Sequence, residues 1–126
     1  MTGSEYQKLA MRTNDGMAIN RLHEATAEFH TECKDFGGII NACLGLSGEV
    51  GEFNDMIKKW VFHEKELDIE HAKKEAGDVA WYLAMLCESF GWDLNEILKM
   101  NVEKLKARYP EGFDTYLANH RTEGDV

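Results

Sequence analysis

Residues 68–91 read DIEHAKKEAGDVAWYLAMLCESFG, and their period is helical throughout. Ala72, Ala76, Val79, Leu83, Leu86 and Phe90 recur at three- and four-residue spacing, which sets them on one face of an α-helix. Asp68 is a good N-cap, because its short carboxylate can accept from the N–H groups that a first turn leaves free. Gly91 suits the left-handed conformation that ends a helix. Inside this segment Val79 to Cys87 is apolar all the way round, and a helix with no polar face must be covered on every side. One chain of 126 residues rarely covers a helix so completely. The reading is therefore all-α: a four- to five-helix bundle completed by dimerisation, as a homodimer or a dimer of dimers.

The flanking sequence has the same period. Cys43, Leu46, Val50, Phe53, Ile57 and Trp60 form one stripe, which predicts a helix from about Ile39 to Phe62. Ala18, Leu22, Ala25, Phe29 and Cys33 mark an earlier helix, with Phe36-Gly37-Gly38 expected to break the chain between the two. A short first helix over Ser4 to Met11 ends at the turn-forming run Thr13-Asn14-Asp15-Gly16. Beyond Gly91, Asp93 followed by Glu96 reads as a capping box. That last helix runs to about Arg108, with Ile97, Leu98 and Leu105 inward, and Tyr109-Pro110 stops it. No stretch alternates with period two. Residues 1–113 make a single domain, and 114–126 a polar tail that is partly ordered at best.

Composition narrows the partners. Acidic residues outnumber basic ones 23 to 14, a net charge of -9, so a nucleic-acid polymer is repelled. A phosphorylated small molecule is approachable only with a divalent cation between it and the protein. Cys33, Cys43 and Cys87 are odd in number and widely spaced, which argues against a disulfide framework or zinc site and for a reducing, cytoplasmic compartment. Met1 to Leu9 is polar, unlike a secretory signal, and Val79 to Cys87 is too short to span a bilayer, so no membrane role is expected.

The chemistry lies in the acids of the two long helices. Glu49 and Glu52 are three apart, as are Glu75 and Asp78, so each helix presents a carboxylate pair on one face. The 22 residues from 53 to 74 separate the pairs, enough for the chain to turn back and bring them face to face. Both pairs border the apolar stripes rather than the far, solvated faces. Four converging carboxylates repel strongly unless cations neutralise them, and an all-oxygen set without His or Cys favours Mg²⁺, or Mn²⁺, over zinc. Gly48 and Gly51 flank Glu49 within a helix, each costing about 1 kcal/mol relative to Ala. Either a ligand or a packed helix must approach the backbone there.

The run Leu46-Ser-Gly-Glu-Val-Gly-Glu-Phe53, followed by Glu75-Ala-Gly-Asp78-Val-Ala-Trp-Tyr82, resembles the MazG-type all-α nucleoside triphosphate pyrophosphohydrolases. That superfamily also holds dimeric dUTPases and dCTP pyrophosphatases. Its signature is E-x-x-E, a spacer, then E-x-x-D, and the resemblance extends over about residues 40–113, through Asn101-Val-Glu-Lys104-Leu-Lys-Ala-Arg108 to Phe113. Many members carry a further Glu just before the first motif acid, where this chain has Gly48. The G-E-V-G-E form is shared with the dCTP pyrophosphatase-like branch, so this departure bears on which acid serves as base.

The resemblance implies Mg²⁺-dependent hydrolysis between the α and β phosphates of (d)NTPs, giving a nucleoside monophosphate and pyrophosphate. Glu49, Glu52, Glu75 and Asp78 would hold the metal. Glu49 or Glu52 would orient or deprotonate the attacking water, and the sequence does not choose between them. Candidate substrate contacts are Lys59 (with Lys58), Asn101, Lys104 and Arg108 for phosphate or sugar, Tyr82 for the sugar, and Trp60 or Phe36 for stacking on the base. Ordinary solvated or core roles compete with each. The need for Glu-x-x-His pairs argues against a di-iron bundle, since Asn20, Ala27, Trp60, Asp68 and Leu117 stand three residues before the five histidines. The remaining alternative is a non-catalytic helical module that binds nucleotides or a protein partner.

Overall fold

In the computed structural model, which describes residues 1–126, five of the six helices open on a side chain that caps them. Helix α1 (Gly3–Ala10) starts with a Thr2/Glu5 capping box, whereas α2 (Ala18–Thr31) has no side-chain cap. Asp35 caps α3 (Phe36–Phe62), Asp68 caps α4 (Ile69–Phe90), Asp93 caps α5 (Leu94–Arg108) and Asp114 caps α6 (Thr115–Asn119). Each of these carboxylates accepts a hydrogen bond from a first-turn N–H, the arrangement that makes Asp a strong helix starter. Gly91 closes α4 in the left-handed conformation, φ 73°. There is no strand, so the class is all-α, as the periodicity predicts.

Two expectations are corrected. Phe36-Gly37-Gly38 is not a break but the first turn of α3: Asp35 accepts from the Gly38 N–H at 2.9 Å, and the chain turns earlier, at Cys33 with φ 58°. The polar tail is also more ordered than its composition suggests. It forms α6 and then returns to α5, where Arg108 donates to both Asp125 carboxylate oxygens at 2.6 and 2.7 Å.

Helices α3 and α4 form an antiparallel hairpin whose register can be followed rung by rung. The Asp35 N–H donates to the Ser89 carbonyl at 2.9 Å, and Asn41 lies 3.7 Å from the Met85 sulfur. Next, the Tyr82 ring lies against Gly45, and Glu49 then meets Glu75. From the first of these pairs to the last the chain advances 14 residues on one side, Asp35 to Glu49, and runs back 14 on the other, Ser89 to Glu75, as antiparallel helices of equal rise require. The backbones can approach because Gly38 and Gly45 carry no Cβ: one built at Gly38 would strike Ser89 and Asp35, and one at Gly45 the Tyr82 ring. At the closed end of α4 an aromatic cluster ties in α2, with Phe29 edge-on to Phe36 and Phe90, and Phe90 stacked on Trp92 at 4.1 Å.

Much apolar surface lies outside this hairpin. Only Ile39, Ala42 and Cys87 form a buried apolar core, while Trp81 and Leu44 are exposed. On α5, Leu98, Val102 and Leu105 are exposed in a row at four- and three-residue spacing, so Leu98 and Leu105 do not face inward within one chain. No helix is long and apolar enough to cross a membrane.

The Gly45 contact generates a stability test. Gly45→Ala alone gains helix propensity, up to about 1 kcal/mol, but overpacks Tyr82 at a cost of about 1–3 kcal/mol. Urea melts should show a net loss of stability in the wild type. In a Tyr82→Ala background the same substitution should become neutral or stabilising, because the colliding ring is gone.

Candidate active site

Beyond Gly45–Tyr82, the hairpin brings its acids together. Carboxylate oxygens of Glu49, Glu52 and Glu75 lie within 4.8 Å of one another. Glu75 is the buried member, 8% exposed, with Glu49 half-buried and Glu52 exposed. The Glu75 Oε1 lies 2.6 Å from His71 Nε2, within a hydrogen bond, while its Oε2 is buried without any hydrogen-bond partner. A buried carboxylate oxygen left unpaired costs free energy that water would otherwise supply. Its neighbours here are further carboxylates, which worsen the cost rather than relieve it.

The electrostatics register this crowding. The Glu49 carboxyl is pushed above its ordinary value, first by partial burial, then by the adjoining Glu75 carboxylate, and further by the negative charges of Glu52 and Asp78. Asp78 is thus near enough for its charge to reach Glu49, although its oxygens stand outside the tight group of three. An all-oxygen donor set, several like charges and one orphaned buried oxygen fit a hard divalent cation of the Mg²⁺ or Mn²⁺ kind.

Beside the acids runs a cleft of about 440 Å³, within the usual range for small-ligand sites. Gly48, Gly51, Glu52 and Met56 of α3 form one wall, Glu75 and His71 belong to α4, and the 63–68 link closes it with Lys65 and Leu67. A Cβ at Gly48 or Gly51 would meet nothing within 4 Å. No helix of the chain packs there, so these two glycines bare the α3 backbone to the cleft.

The remaining sequence candidates are dispersed. Lys59 lines the cleft, its Nζ 2.6 Å from Asp55, whose carboxyl it holds below the ordinary range. Trp60 is exposed outside the cleft, and Tyr82 is half-buried on Gly45 with its ring edge-on to Trp81. Phe36 is engaged with Phe29. Asn101 and Lys104 are exposed on α5 away from the cleft, and Arg108 lines a separate hollow of about 170 Å³ with Arg121 and Asp125.

Two cleft residues escape a reading of the sequence. Lys65 reaches the site through the path of an irregular link, which no periodicity encodes. His71 does carry a signal, since it precedes Glu75 by four residues and so shares its helix face.

Comparison with known proteins agrees with this geometry. Residues 40–113 match the MazG nucleotide pyrophosphohydrolase domain, more than half of the chain, and they contain all four motif acids. The chain belongs to that family, a class of hydrolases of the pyrophosphohydrolase kind. It is also similar to the Gene 37 protein of Mycobacterium phage L5, 30% identical over 86 residues that cover 64% of this chain and 75% of the phage protein. No solved structure matches it.

The raised Glu49 value fixes the sign of a pH effect. A carboxyl that binds its proton more tightly when folded stabilises the fold at low pH. That contribution is lost as pH rises from the ordinary value of 4.5 through the raised one. Thermal melts of metal-free protein should therefore decline over that window, and Glu49→Gln should flatten the decline. Added Mg²⁺ should raise the melting temperature of the wild type at neutral pH, and Glu75→Gln should abolish most of the rise.

Proposed function

We propose that this chain hydrolyses (d)NTPs between the α and β phosphates to a nucleoside monophosphate and pyrophosphate, with Mg²⁺ as the cofactor and Mn²⁺ as a substitute. The observation that carries the reading is the Glu49–Glu52–Glu75 cluster, with its one buried, unpartnered oxygen, at the edge of a cleft of nucleotide size. Membership of the MazG family supports it.

In this reading Glu49, Glu52 and Glu75, with Asp78 beside them, hold the cation. When bound, Mg²⁺ supplies countercharge for the triphosphate and for the charge developing at phosphorus. Glu49 or Glu52 orients the attacking water and takes its proton. The water oxygen bonds to the α phosphorus as the bond to the α–β bridging oxygen breaks, and pyrophosphate leaves. Lys59 and Lys65 balance phosphate charge along the cleft, and the bare backbone at Gly48 and Gly51 leaves room for the chain of phosphates. Asn101, Lys104, Tyr82 and Trp60 are further proposed substrate contacts. Arg108 joins them only when it releases Asp125.

The same proposal includes a second copy of the chain. Exposed Trp81 on the apolar helix and the row Leu98, Val102 and Leu105 on α5 are apolar surface that a monomer would leave to water. A homodimer or dimer of dimers covers it, in a cytoplasmic setting that keeps the three cysteines reduced.

The test is a product assay over ribo- and deoxyribonucleoside triphosphates with Mg²⁺. Monophosphate with pyrophosphate, abolished by EDTA and by Glu75→Gln, is expected. Diphosphate with phosphate, or no turnover by folded protein, would sink the reading and leave a binding module. Gly48→Ala should separate stability from function: it gains up to about 1 kcal/mol of stability in open helix while lowering turnover. Light scattering should give twice or four times the 14.4 kDa chain mass, and Trp81→Glu should shift it toward one.

A further inference from the structure

The pairing of His71 with Glu75 is not explained by helix stability. In an isolated helix an acid–base pair four residues apart is favoured with the acid first, and here the histidine comes first. Nor is His71 a core filler, because its side chain is 54% exposed whereas that of Glu75 is 10% exposed. The contact therefore joins a half-solvated ring to a buried carboxylate. A carboxylate oxygen only accepts, so we assign His71 the tautomer with its proton on Nε2, which donates across the 2.6 Å contact to Oε1.

The backbone that carries the ring is anchored. Asp68, the cap of α4, accepts from the backbone N–H of His71 at 3.0 Å, which fixes the turn from which the side chain projects. A chain of contacts thus runs from helix cap to histidine to carboxylate. It fixes one Glu75 oxygen and leaves the other, Oε2, buried and free of donors beside Glu49 and Glu52. A carboxylate that is already oriented loses less freedom when it takes a cation, and such outer partners commonly govern metal affinity.

We propose that His71 is a positioning residue: by binding Oε1 of Glu75 it presents Oε2 to a divalent cation held by the three glutamates. This rests on the metal reading above and extends it to a residue outside the acid motifs. It predicts that the donor at this position, rather than the imidazole as such, sets affinity. Gln at 71 places an amide N–H near the Nε2 position, whereas Ala and Met offer none.

The experiment is a Mn²⁺ titration followed by the electron paramagnetic resonance of free Mn²⁺, with circular dichroism on each variant and no nucleotide present. His71→Ala should bind Mn²⁺ about 10–100-fold more weakly than wild type with its helix content unchanged, and His71→Gln should retain wild-type affinity. If His71→Ala loses helix, His71→Met takes its place in the comparison. Wild-type affinity in a donor-less variant would overturn the positioning role while leaving the metal site intact. Equal weakening in His71→Gln would overturn it too, because restoring a donor then restores nothing. A wild-type protein that binds no Mn²⁺ would overturn both this role and the metal reading.

Discussion

Everything at the acid cluster depends on how closely α3 and α4 approach. Gly45 gives the Tyr82 ring a seat on the α3 backbone, and Gly38 does the same for Ser89 one end further on. These two absences of a Cβ hold the hairpin in one register. Interiors are close-packed, so a side chain inserted at such a point must displace its neighbour. A shift of α4 by one turn would move Glu75 by about 5.4 Å along the helix axis, enough to take it out of the 4.8 Å cluster. The glycines of α3 therefore divide the labour: Gly38 and Gly45 set the distance between helices, and Gly48 and Gly51 open the cleft beside the acids.

The hairpin creates an electrostatic problem that the chain does not solve alone. Glu75 lies in the seam between the helices, and His71 satisfies one of its oxygens but not the other. Glu49 responds by holding its proton more tightly. The acid is kept at a cost in stability, since an apolar residue at 75 would leave no carboxylate oxygen buried and unpaired. Retaining the acid makes sense for a protein whose family performs phosphate chemistry, where negative substrate and negative protein meet through a cation.

The helices were legible because caps and periodicity are local. Asp68, Gly91 and the stripe from Ala72 to Phe90 act within a few residues, and they place α4 correctly. The two corrections arise where local signals compete with distant ones. Phe36-Gly37-Gly38 has the composition of a break, but Asp35 caps it and Ser89 needs the space that Gly38 leaves. The tail has the composition of a solvated segment, yet Asp125 finds Arg108, 17 residues earlier in the chain. The Asp35 cap is local and was open to a reading of the sequence, whereas the contacts with Ser89 and Arg108 join separate elements.

For the site, the sequence by itself determined which carboxylates share a face, since a three-residue spacing on a helix does so whatever surrounds it. It also determined the excess of negative charge and, through the two acid motifs, the family. Tertiary structure decided which of those acids meet, and to what degree. It drew Glu49, Glu52 and Glu75 into one group, left Asp78 at its margin, buried one oxygen of Glu75, and brought Lys65 and His71 to the cleft. The reason is one of range. Periodicity fixes the direction of a side chain relative to its own helix axis, whereas distance and desolvation across a hairpin depend on how nearly two axes can approach.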